Sequence, residues 1–386
     1  MMQARKRLGL AAAGWLALGM SAGWAQGVSA DKVLFGQSAP LGGPAAALGT
    51  NLRDGIQAAF AEINKAGGVG GRKLELISLD DGYEPNKAIE MTTQLLTDKG
   101  VFALLGPVGT PTSAAVLPMV TEKQVPFIGA FTGAEILRHP YNKWVVNIRA
   151  SYFQETEAMV EHLTKDLGIK KIAIFYQDDA YGRAGLAGVQ KALEKRSMTL
   201  AGEGTYERNT TAVRTALLAL RKAEPEAVIM IGAYKPCAEF IKLAKQLKAT
   251  WRFVNISFVG SDALAAELGD QGAGVIVTQV VPFPGDESLP VVKSYHAALA
   301  ALGGDQKPGF VSLEGYLDGR AVAAALAKID GAPTREGFID AIVKTGTFDL
   351  GGLTLHYGAD NNQGLETVYL TQLQADGKYQ PVTTLK

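Results

Sequence analysis

The chain has 386 residues, 47% of them apolar, with 38 basic and 38 acidic side chains, four histidines and one cysteine. Balanced charge gives no basic footprint for gripping a phosphate backbone, which excludes nucleic acid as a partner, and a single cysteine excludes an internal disulfide. The length exceeds what one hydrophobic core usually supports, so two lobes are expected.

At the N-terminus, Arg5, Lys6 and Arg7 precede an apolar stretch from Leu8 to Met20, and the small residues Gly23 and Ala25 follow. That order of charge, apolar run and small residues predicts a secretory signal peptide over residues 1–25, cleaved after Ala25. A membrane anchor would need about 20 apolar residues, and glycines break this shorter run. Cleavage leaves 35 basic against 38 acidic residues. The mature chain is expected to be soluble and periplasmic.

Beyond the leader, short β-rich apolar runs alternate with longer amphipathic stretches. Strands are expected at Val33–Gln37, Leu74–Leu79, Phe102–Leu105, Pro126–Ile128 and Val145–Ile148. Helices are expected between them, at Leu48–Lys65, Pro85–Asp98 and Pro111–Glu122. Runs of four to six apolar residues without alternation suit parallel strands buried on both faces. The rhythm then restarts, with strands at Ile172–Tyr176, Leu200–Thr205, Val228–Ile231, Phe253–Ile256 and Val275–Val280. Their helices are expected at Tyr152–Leu167, Gly182–Lys195, Thr211–Arg221 and Pro236–Leu247. Two successive sets predict an α/β protein of two doubly wound parallel-sheet lobes.

After Val281, Pro282 and Pro284 interrupt the pattern. Helices follow at Leu289–Leu302, Phe310–Lys328 and Thr334–Lys344, with strands at Leu353–Tyr357 and Thr367–Gln374 and a hairpin turn at Asp376–Gly377. Lacking a sheet of their own, these helices should return to the first lobe. The expected division is residues 26–149 and 282–355 in an N-terminal lobe, and 150–281 and 356–386 in a C-terminal lobe.

Open parallel sheets bind ligands beyond the carboxyl ends of their strands. Three segments fall there. In Gly106–Ser113, Thr110 suits a helix N-cap and Pro111 the first helical position, which would leave the amides of Thr112 and Ser113 free for an anion such as a carboxylate. Equally, Thr110 would merely cap its own helix. The glycines of Gly129–Gly133 permit close backbone approach or form an ordinary turn. In Asp178–Arg183 the two acids suit helix capping better than metal binding. Gly67–Gly71 reads as a turn. Cys237 opens a helix, which would lower its pKa, although a buried inert thiol is the commoner case. Glu314 and Asp318, four apart on one helix, read as a solvated face or a contact between helices. No histidine pair has metal-ligand spacing, no nucleophile motif occurs, and no cofactor is implied. The residues do not argue for an enzyme.

Several of these segments together resemble the leucine/isoleucine/valine-binding proteins, the periplasmic receptors of branched-chain amino acid ABC transporters. The resemblance runs through Gly36–Pro44 with Gly49, Asn64–Arg72, Leu79–Asp81 with Pro85, Tyr181–Gly182 and Gly232–Pro236. It implies a type I periplasmic-binding fold with three crossovers between lobes, near Arg149, Val281 and His356. By position it implies a ligand carboxylate held by Thr110 and by backbone around Gly109, Phe131, Thr132 and Gly133, with Leu48 covering the ligand side chain. Tyr152, Tyr181 and Tyr234 would close from the second lobe. Ser257 and Tyr152 stand where the family's amino-acid binders carry acids against the ligand ammonium. An amino acid and an amine-free carboxylate, aromatic ones included, are therefore both open as ligands. The implied partners are the small carboxylate and a membrane permease, with the chain a monomer; a ligand sensor of the same fold is the alternative role.

Overall fold

Apolar runs covered on both faces become the parallel strands of two sheets. The computed structural model describes residues 25–386, so the expected signal peptide lies outside the described residues apart from Ala25. The first set comprises β1 (Lys32–Ala39), α1 (Ala46–Lys65), β2 (Lys73–Asp80), α2 (Pro85–Thr97), β3 (Ala103–Leu105), α3 (Thr110–Glu122), β4 (Phe127–Ile128) and β5 (Val145–Val146). Its five strands form a parallel sheet in the order β2-β1-β3-β4-β5.

The second set opens with α4 (Tyr152–Lys165), β6 (Ile172–Gln177), α5 (Ala180–Glu194), β7 (Gly202–Tyr206), α6 (Arg214–Ala223), β8 (Ala227–Ile231), α7 (Tyr234–Gln246) and β9 (Arg252–Asn255). It closes with α8 (Ser261–Leu268) and β10 (Ile276–Gln279). Helices α9 (Pro290–Ala301), α10 (Phe310–Leu326) and α11 (Arg335–Thr345) follow, then strands β11 (Thr347–Asp349), β12 (Thr354–His356), β13 (Tyr369–Leu373) and β14 (Tyr379–Val382). The second sheet runs β14-β13-β10-β9-β8-β6-β7, parallel from β10 to β7 and antiparallel at the β13–β14 edge. Both sheets are the doubly wound kind that successive β/α sets require, and β11 and β12 pair only with each other.

Helix α10 is the principal departure from an amphipathic pattern: every residue from Phe310 to Gly319 is buried. It packs on α1 at a distance only glycines allow. A Cβ on Gly55 would stand 1.9 Å from the Ser312 carbonyl oxygen, and one on Gly315 would stand 2.0 Å from that of Leu52. Three passes of chain join the two sheets, and two of them bond side by side. Gly364 N donates to Asn147 O at 2.9 Å and Leu365 N to Ile148 O at 2.8 Å. Arg138 ties both passes together, donating from Nη2 to Arg149 O at 2.9 Å and from Nε to Gln363 Oε1 at 2.5 Å. Among the described residues, no helix is long and apolar enough to cross a membrane.

Candidate ligand-binding site

The N-terminus of α3 differs in detail from the sequence expectation. Gly109, not Thr110, is the N-cap, with φ 101°, a left-handed backbone that favours glycine. A Cβ there would also strike the Tyr83 ring at 2.2 Å. Thr110 is the first helical residue, and Ser113 N is not free: it closes the first helical bond to Gly109 O at 3.1 Å. Thr112 Oγ1 turns back onto Val108 O and Gly109 O. The Thr110 hydroxyl, relieved of capping, meets Thr132 Oγ1 at 2.6 Å. Ser113 Oγ is buried without a hydrogen-bond partner.

From Thr132 the cluster crosses to the second set. Thr132 Oγ1 lies 3.3 Å from the Tyr152 hydroxyl, and Tyr152 N donates to Gly133 O at 2.7 Å. The chain enters α4 through a capping box: the Ser151 hydroxyl accepts from Gln154 N while the Gln154 side chain accepts from Ser151 N. That reciprocal pair fixes the first turn and so aims Tyr152. Its ring packs at 5.7 Å from Tyr181, which in turn lies 4.5 Å from Phe258, and Phe258 reaches back to Phe131 at 5.4 Å and Tyr83 at 5.9 Å. Burial pushes the Tyr152 phenol up to about 12 and lifts Tyr83 and Tyr181 well above their ordinary values, so all three are neutral hydrogen-bonding groups. At the other flank, Leu48 sits against Gly260, and Ala47 N donates to the Tyr234 hydroxyl at 3.4 Å.

Leu48, Gly109, Thr110, Phe131, Thr132, Gly133, Tyr152, Tyr181, Tyr234 and Ser257, scattered over more than 200 positions, are thus gathered between the two sheets, all of them buried. Four further residues belong to the same cluster and were not anticipated: Tyr83, Glu155, Phe258 and Thr278. Glu155 matters most. It is fully buried, and its carboxylate accepts from Ser257 N at 2.9 Å, Ser257 Oγ at 3.0 Å and Thr278 Oγ1 at 2.6 Å. Burial raises its pKa, while Arg149 and these three donors oppose the rise. The sequence held one clue: Glu155 follows Tyr152 by three positions, which on a helix puts both on one face. Tyr83 had none, since its left-handed φ of 62° is uncommon for a bulky residue.

Beside the cluster lies a buried ion pair that corrects another expectation. Glu314 and Asp318 form no solvated face; both are buried against the crossover. Arg149 donates from Nε and Nη2 to the two Glu314 oxygens, each at 2.8 Å, and its guanidinium lies 4.3 Å from the Phe131 ring centroid. Burial opposes the Arg149 charge, but the Glu314 carboxylate more than offsets it and holds the guanidinium protonated. Among the described residues, Asp318 has no hydrogen-bond partner at either oxygen; burial, then the Glu314 charge, drive its pKa well up.

The remaining motifs have structural roles. Asp179 caps α5, accepting from Tyr181 N at 2.9 Å, and Asp178 pairs with Arg183 at 2.6 Å. Cys237 is buried, and burial raises its thiol pKa, the opposite of an activated nucleophile. Among the described residues no group of three or more His, Cys, Asp or Glu side chains is placed to hold a metal.

Two doubly wound parallel sheets joined by three crossovers, with a buried polar-aromatic cluster between their strand ends, define a type I periplasmic-binding fold. The chain belongs to the periplasmic binding protein family, whose profile matches residues 32–378, and its relatives include Leu/Ile/Val-binding proteins. A solved structure of a possible leucine/isoleucine/valine-binding protein from Rhodopirellula baltica SH 1 superimposes with a TM-score of 0.87 at 38% identity, covering 94% of this chain and 98% of that one. Leu/Ile/Val-binding protein homolog 3 of Brucella melitensis is 29% identical over 235 residues, 60% of this chain and 62% of the relative's length. The leucine-, isoleucine-, valine-, threonine- and alanine-binding protein of Pseudomonas aeruginosa is 26% identical over 254 residues, 65% of this chain and 67% of its own.

Proposed function

We propose that this chain is the substrate-binding protein of an ABC importer: a non-enzymatic periplasmic receptor that closes about a hinge on a small carboxylate and presents the closed form to a membrane permease. One observation carries the reading. Ten buried residues on loops and first helical turns of both β/α sets cluster at the strand ends, where an enclosed solute would touch both halves at once. In this reading the lobes are residues 26–149 with 282–355 and residues 150–281 with 356–386, and the crossovers serve as the hinge.

The solute carboxylate docks on the first lobe, on the hydroxyls of Thr110 and Thr132 and the α3 amides. Among the described residues, the Thr110 and Thr112 amides have no backbone acceptor. The positive end of the helix dipole adds to them. Tyr152, Tyr181 and Phe258 then close over the solute and exclude water. Hydrogen bonds to a charged group contribute roughly 1.5–3 kcal/mol each, so three of them with apolar contact reach the about 8 kcal/mol of a micromolar complex. The names of the Brucella and Pseudomonas relatives favour a branched-chain or similar amino acid.

The test is a thermal-shift screen of ligand-stripped protein against amino acids, aromatic acids and short dicarboxylates. At least one small carboxylate should raise the melting temperature by several degrees. A flat profile across all three classes would refute the reading.

A further inference from the structure

Tyr181, Tyr234 and Ser257 follow the carboxyl ends of β6, β8 and β9; the opposite pole, where those strands begin, carries an unbalanced charge. We propose that this pole is a membrane-contact surface that takes a layer of anionic phospholipid headgroups and leaves the solute cluster free. Helix α6 turns Arg214, Leu218, Arg221 and Lys222 to solvent, and steps of three and four from Leu218 put them on one face. Its buried residues are Ala216, Leu217 and Leu220. The end of α7 continues the surface. A groove of about 430 Å³ is lined by Leu217 and Arg221 from α6 and by Leu247, Lys248 and Trp251 after α7. A second, of about 250 Å³, shares Trp251 with it. Lys170 and Lys171 stand exposed just before β6, which pairs with β8.

The whole chain has 38 basic and 38 acidic residues, yet segments 170–171, 214–226 and 247–252 set seven basic residues against Glu224 and Glu226. Glu226 turns its carboxylate to backbone, accepting from Lys170 N and Lys171 N, each at 2.8 Å. Arg252 donates to Lys386 O at the chain end at 3.1 Å. Among the described residues, none of the other six cations pairs with a carboxylate. Elsewhere in the same β/α set, Arg183, Lys195, Arg196 and Arg208 all do. Unmatched cations spread over one face suit a diffuse layer of phosphates. The apolar residues decide against a merely solvated face. Leu218, 56% exposed, is the most exposed large apolar side chain among the described residues, and Leu247 is 42% exposed. A single exposed leucine would be ordinary. Two beside a half-buried tryptophan, interleaved with Lys and Arg, suit the boundary between headgroups and acyl chains.

The experiment is co-sedimentation of the chain lacking residues 1–25 with two kinds of vesicle: phosphatidylcholine alone, and phosphatidylcholine mixed equally with phosphatidylglycerol. At low salt the mixed vesicles should bind at least tenfold more strongly, and about 0.5 M salt should abolish the difference. Arg221→Glu with Lys248→Glu should weaken that binding at least tenfold, and Leu218→Ser should weaken it about threefold, with melting temperatures unchanged. A charge-matched control on α2, Lys87→Glu with Lys99→Glu, should stay within about twofold. Absent or equal binding to the two vesicles would overturn the proposal. So would a control that loses as much as the α6–α7 pair, since net charge rather than this pole would then be acting. Retention on poly-L-glutamate without vesicle binding would assign the pole to an acidic protein surface and overturn the lipid reading. The result is independent of which solute the cluster holds.

Discussion

Two ionic contacts of this protein are built oppositely. At the crossover, Arg149 and Glu314 are almost wholly buried in a bidentate pair, with Asp318 beside them. After β7, Arg208 reaches Glu84, just ahead of α2, and Asp179, the cap of α5, each at 2.8 Å, while Asn209 donates to Glu84 Oε1 at 2.7 Å and Gly82 O at 3.1 Å. Arg208 and Glu84 retain 21% and 41% side-chain exposure. Desolvation makes the first bridge costly to break and ill suited to repeated opening, whereas water stands ready to replace the second. Under the proposed closure, the former suits a hinge and the latter a mouth.

The largest effect is expected at the crossover. Glu314→Ala strands the Arg149 charge in the interior and should cost about 3–5 kcal/mol in urea unfolding; a loss under about 1 kcal/mol would show that the pair is not buried. Next in size, Thr110→Ala should weaken solute binding about tenfold in calorimetry, since it removes a hydroxyl offered to the carboxylate. The empty protein's melt should barely move, because Gly109 rather than Thr110 caps α3. Asp318→Asn follows. Burial raises the folded-state pKa of Asp318, so its contribution to stability is greatest at acid pH and is lost as pH rises from the ordinary carboxylate range. The amide should therefore stabilise the protein by roughly 1 kcal/mol or more at pH 8, a gain that shrinks toward pH 4. Smallest, Arg208→Ala should leave unfolding nearly unchanged and loosen the solute about two- to fivefold, mainly through faster release, in line with an exposed pair worth 0–1 kcal/mol.

Much of this organisation was legible in the residue pattern. Most strands from β1 to β10 were legible as short apolar runs, because a strand buried on both faces admits little else; the edge strands β2 and β7 are only partly buried. The small α8 and β11 did not. Ser261–Leu268 is short and bounded by Gly260 and Gly269, and Thr347–Asp349 pairs only with β12. At the site, motif order brought the Thr110 loop and the tyrosines into view. Glu155 escaped because its donors, Ser257 and Thr278, lie more than 100 positions away. Glu314 and Asp318 misled for the same reason. Two acids four apart on a helix normally face water, and only the arrival of Arg149 from another segment lets α10 bury them.

The most direct measurement is a crystal structure grown with whichever amino acid gives the largest thermal shift. Its carboxylate should lie within hydrogen-bonding distance of the Thr110 and Thr132 hydroxyls, with Tyr152 and Tyr181 over its side chain. Density for that amino acid on an outer surface, or with its carboxylate away from Thr110 and Thr132, would contradict the proposed site.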